Sequence, residues 1–129
     1  MKPKKSTKAT MRRLFFIQGC YYIGSGIWPV IHIESFMWVT GEKTDLWLVK
    51  MVGLLSCSIG VTLLAATQSP GRVATVLAAG SALAFAAIDI YYTATGVISK
   101  IYLADSLVQL VLLAILIVVT QKGKVNRTK

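Results

Sequence analysis

Five ionisable side chains stand inside otherwise apolar stretches of this 129-residue chain: His32, Glu34, Lys50, Asp89 and Asp105. Groups of these types can hold a proton, a cation or a small polar ligand, because a charge in apolar surroundings must be paired or neutralised. Lys50 is the single ammonium among three carboxyls, so the set is net acidic and favours a cationic or protic guest. Asp89 lies furthest from any polar turn and is the best candidate for a ligand-facing carboxyl. Glu34, Lys50 and Asp105 stand close enough to the ends of their apolar runs to reach the surface as interfacial anchors or structural ion pairs. Tyr22 and Tyr92 add hydroxyls, and Trp28 could wall a cavity. Gln18 and Tyr22 share a helical face at i, i+4, as do Asp105 and Gln109.

Other chemistry is poorly supported. His32 is the sole histidine, and no Cys, His and carboxylate spacing makes a zinc site, so neither a metal nor a cofactor is expected. No Ser/His/Asp or Asp/Asp constellation is evident, and no catalytic residue is assigned. Cys20 and Cys57 fall in different apolar runs with no Cys-x-x-Cys pair; both read as small apolar filler, with a disulfide geometrically open but not required.

The elements that must carry these groups are membrane spans. The chain is 55% apolar with only 15% charged residues and a mean hydropathy of +0.66. A soluble domain averages about 25% charged residues, and disorder requires low hydrophobicity, so both classes are excluded. Residues 1–13 form a basic tail, 14–120 a transmembrane domain and 121–129 a second basic tail, with spans at about 14–38, 46–66, 73–97 and 101–120. The breaks are Thr40–Asp45, Thr67–Arg72 with its Pro70-Gly71 turn, and Gly96–Lys100. The runs are too long and too uniformly apolar for membrane strands, so the expected fold is all-α, an integral membrane bundle of four transmembrane helices.

Eleven Lys and Arg flank the two tails and the middle loop, against Lys43, Lys50 and Lys100 on the other side. The positive-inside bias therefore puts both termini in the cytoplasm, and Trp38, Trp47 and Tyr102 fall near the opposite interface. The five ionisable groups then share the outer half of the bundle. Pro29 should kink the first span. Small residues mark the packing faces: Gly19, Gly24, Ser25 and Gly26 in span 1, Gly53, Ser56 and Gly60 in span 2, and Ala74, Ala78, Ala82 and Ala86 in span 3. Spans 1 to 3 should form a tight bundle, with the bulky Leu110–Val119 run of span 4 closing one side and facing lipid.

Compact size, an aromatic and Gly-rich first span and acidic residues within spans make the layout resemble small bacterial four-helix membrane proteins of the DoxX-like type. That resemblance is architectural and carries no motif residue by residue; it implies an accessory or redox-associated role, and the missing Cys pair argues against the redox part. The expected partners are the lipid bilayer, another membrane protein or further copies of the chain, and anionic lipids at the basic tails; no nucleic-acid module is present. A bacterial inner membrane suits the small size and compact loops. An accessory or binding module is the leading expectation, an oligomeric transporter or channel for a proton, cation or small polar solute the alternative, and an intramembrane enzyme the third.

Overall fold

The computed structural model describes residues 5–126 and 128; the tail residues Lys2, Lys4, Arg127 and Lys129 lie outside the described residues. The described chain is all-helical: α1 (Lys5–Ile31), α2 (Ile33–Thr40), α3 (Leu46–Ala66), α4 (Arg72–Ala94) and α5 (Tyr102–Val125). All but α2 are long and apolar enough to cross a membrane. Helix α2, at 8 residues, spans only about 12 Å.

The first apolar run is therefore two helices, not one span extending to Trp38. Pro29 is buried within α1, and the break comes at His32, whose backbone leaves the helical region (φ −140°, ψ 79°). A proline has no N–H to donate to the preceding turn, which weakens the helix there. The His32 ring then caps α2, its Nδ1 accepting from the Ser35 N–H at 3.1 Å. At its other boundary α1 runs back through Arg13 to Lys5, so basic residues of the N-terminal segment are helical. Glycine ends two helices: Gly41 (φ 93°) after α2 and Gly96 (φ 75°) after α4, both in the left-handed region that other residues avoid.

Helix α1 packs most extensively on α3, and α4 on α5, with smaller α1–α5 and α3–α4 contacts. The α1–α3 seam is built on glycine at heptad spacing. A Cβ on Gly26 would lie 2.4 Å from the Gly53 carbonyl oxygen, and one on Gly60 would lie 2.6 Å from the Gly19 carbonyl oxygen. The backbones thus touch directly, as small residues allow in lipid. Between the two glycine layers Ser56 Oγ donates to the Tyr22 carbonyl at 3.0 Å, and Cys57 Sγ lies 3.6 Å from the Ile23 carbonyl. Both cysteines are free.

The α4–α5 pairing departs from the expected tight bundle of the first three spans. Ala78, Ala82 and Ala86 are buried as the small-residue stripe implied, and so are Leu112 and Leu116 of α5. Ala78 joins Phe15, Leu63, Leu112 and Leu116 in one core cluster. Small side chains on α4 leave room for the branched ones of α5, which gives α5 an inward face despite its uniform composition. Its remaining large residues, such as Leu107, Val111 and Ile115, are exposed.

The bundle has two distinct ends. At one, which we call the terminal end, the start of α1, the α3–α4 turn and the end of α5 meet around a shared cleft. Arg12 fastens that turn by donating to the Gln68 carbonyl at 3.2 Å. At the other, the loop end, a Cβ on Gly41 would reach Ser99, and the Lys43 ammonium lies 5.4 Å from the Tyr102 ring centroid. Lys43 also donates to the Thr40 and Gly41 carbonyls at 3.0 Å. Partial burial pushes its ammonium below the usual lysine range.

Candidate functional site: an aspartate pair at the end of a polar ladder

The polar residues inside the bundle are ordered. Gln18 Nε2 donates to the Ala78 carbonyl at 2.9 Å and to the Tyr22 hydroxyl at 3.1 Å. Tyr22 donates to Gln109 Oε1 at 2.7 Å, and Gln109 Nε2 donates to Asp105 Oδ1 at 3.4 Å. The Tyr21 hydroxyl donates to the same Asp105 oxygen. A continuous ladder thus links α1, α4 and α5. Gln18, Tyr22 and Gln109 are each at most 2% exposed, so the bonds among them replace water that the interior excludes.

The i, i+4 spacing explains the register. Gln18 and Tyr22 stack on one face of α1, and Asp105 and Gln109 on one face of α5, and the two stripes meet at the Tyr22–Gln109 bond. Phe85 of α4 closes the side, its ring edge-on to Tyr22 with centroids 5.4 Å apart.

Asp89 stands at the loop-end side of this ladder, five residues before the end of α4, or about 8 Å along the helix. It is 6% exposed, and its Oδ2 has no hydrogen-bond partner. Its side chain lies beside that of Asp105. Thr93, one turn further along α4, has a buried hydroxyl that is also without a partner. Carboxylates only accept, so two ionised groups in contact repel; a proton between them or a cation beside them relieves both.

The two carboxyls differ. Asp105 receives two donors on Oδ1, the Tyr21 hydroxyl and the Gln109 amide, whereas Asp89 has an unpartnered buried oxygen. One is anchored in the ladder and the other is not.

Of the residues singled out from the sequence, Tyr22, Asp89 and Asp105 come together here. His32, Glu34 and Trp28 belong to the α1–α2 joint. Trp28 Nε1 donates to Ser35 Oγ at 2.8 Å and its ring meets Phe36 edge-on, while His32 caps α2 and Glu34 is exposed in its first turn. Lys50 is exposed on α3. Tyr92 is 38% exposed and packs edge-on against Tyr91. Among the described residues none of His32, Glu34 and Lys50 makes a side-chain hydrogen bond to the pair. Positions near the ends of helices let such groups reach water, which is why they need not turn inward.

The pairing of two aspartates was not evident from their spacing. Four further members, Gln18, Gln109, Tyr21 and Thr93, carry no charge or motif in the sequence and were not singled out as site residues. The signal for two of them was the pair of i, i+4 polar stripes; Thr93 repeats that spacing from Asp89. Among the described residues no group of three or more His, Cys, Asp and Glu is arranged to hold a metal ion. Compared with known protein families, with characterised proteins and with solved structures, the chain matches none.

Proposed function

We propose that the chain is a multi-pass membrane binding module whose Asp89–Asp105 pair holds a proton that a small cation can displace. The observation that carries this reading is the buried, unpartnered Oδ2 of Asp89 in a side chain that lies beside a second carboxyl. Such a group inside a helical bundle costs several kcal/mol unless neutralised, roughly 2.5 to 3.5 kcal/mol on insertion scales, so it is retained for a guest. The near-complete enclosure of Asp89 favours a proton or bare ion over an organic ligand. Both termini are cytoplasmic on this reading, supported by the surplus of Lys and Arg beside the terminal end, and the pair lies towards the outer face of a bacterial inner membrane.

An accessory role is a second reading with its own support. On α4, Gly80, Ala84 and Ala87 are exposed, and a Cβ on Gly80 would meet nothing, which leaves a smooth face for another membrane helix.

A hydrophobic carbodiimide tests the binding reading, because it adds to protonated carboxyls reached through lipid. Mass mapping should find the adduct on Asp89, lost in Asp89→Asn and suppressed by added Na+ or K+ at constant pH. Labelling confined to Glu34, or unaffected by Asp89→Asn, would refute it.

A further inference from the structure

At the terminal end, opposite the carboxyl pair, a cleft of about 590 Å³ opens between the first turns of α1, the α3–α4 turn and the last turns of α5. Three cations line it, Lys8, Arg72 and Lys124, all exposed, and among the described residues no carboxylate does. They come from three separate helices, so the charge is gathered by the fold and not by one run of sequence.

Helix α4 begins in the same cleft. Its N-cap, Gly71, is extended and supplies no side-chain cap, so the first-turn N–H groups of a 23-residue helix are left for another acceptor. The helix dipole adds partial positive charge there. Below the cations the wall is apolar, formed by Met11, Val76 and Val119.

A cationic rim above an apolar wall, at the ends of membrane-length helices, matches a molecule with an anionic head and a hydrocarbon body. We infer that this cleft binds an anionic phospholipid: the headgroup phosphate sits among Lys8, Arg72 and Lys124, and the first acyl carbons lie on Met11, Val76 and Val119. Charge complementarity selects the headgroup, and the apolar wall selects a lipid over free phosphate. The inference rests on the membrane reading given above but is independent of the carboxyl pair.

The test uses the full chain in neutral detergent micelles, with native mass spectrometry counting retained phosphatidylglycerol against phosphatidylcholine. Phosphatidylglycerol should be retained selectively. Arg72→Gln and Lys124→Gln should each weaken it about fivefold, which corresponds to ~1 kcal/mol per basic residue near a lipid surface. Val76→Asp, at an exposed wall position, should weaken it at least as much, whereas Lys100→Gln at the loop end should leave it unchanged. Equal retention of phosphatidylcholine, equally tight binding of inorganic phosphate, or an equal loss with Lys100→Gln would overturn the cleft assignment alone. A chain that stays dispersed without detergent and retains neither lipid would overturn the membrane reading beneath it.

Discussion

Helix α1 takes part in two unlike seams. Towards α3 it presents Gly19 and Gly26, and contact is backbone to backbone. Towards α4 and α5 it presents Gln18 and Tyr22, and contact runs through side-chain hydrogen bonds. The closest atoms of the first seam are carbonyl oxygens held by their own helices, with Ser56 and Cys57 as its side-chain contacts to the α1 backbone. The second is made of rotatable groups ending on a carboxyl pair. The bundle therefore separates its close backbone packing from its polar ladder on two faces of one helix, and the proposed guest site at Asp89 lies apart from the glycine contacts.

Substitutions can break that contrast in order of expected effect. Gly53→Leu would drive a branched side chain into the Gly26 carbonyl, which a Cβ alone already approaches to 2.3 Å, and should cost roughly 3 kcal/mol, the upper end for overpacking. Steric-trap unfolding in micelles would register it; a loss under 1 kcal/mol would mean the α1–α3 contact is not close. Gln109→Leu removes both the acceptor of the buried Tyr22 hydroxyl and a donor to Asp105. About 1 to 2 kcal/mol should be lost in the same assay, because a hydrogen bond between membrane helices is modest and a stranded hydroxyl adds to it. Gly80→Ala is the counter-case. Nothing lies within 4 Å of the added Cβ, so helix propensity alone acts and stability should rise by at most about 1 kcal/mol.

The two seams were not equally legible in the sequence. Hydropathy and turn chemistry bound the two middle helices: α3 occupies Leu46–Ala66 between the two polar segments, and Gly96 follows the end of α4 with its left-handed backbone. The glycine face of α3 could be seen because Gly53, Ser56 and Gly60 recur at helical spacing. Its register against α1 could not, because that depends on which helices become neighbours. The same limit concealed the α4–α5 pairing, since small residues mark a packing face without naming what fills it.

The carboxyl pair was legible only in part. Charge drew attention to His32, Glu34 and Lys50 as much as to Asp89 and Asp105, yet groups near helix ends can reach the surface and the first three do. Neutral Gln18 and Gln109 organise the ladder, and amides carry little weight in a search for charges. The helix break at His32 was hidden for another reason. Pro29 weakens the helix, but the break falls where His32 can cap the next one.

The most direct measurement of the central claim is the infrared spectrum of the full chain in lipid at neutral pH, in buffer free of metal cations. A protonated carboxyl stretch that shifts on exchange into D2O should be present in the native chain and in Glu34→Gln, lost in Asp89→Asn and reduced by added Na+ or K+. A spectrum with no such band, or one that Asp89→Asn leaves unchanged, would contradict the account.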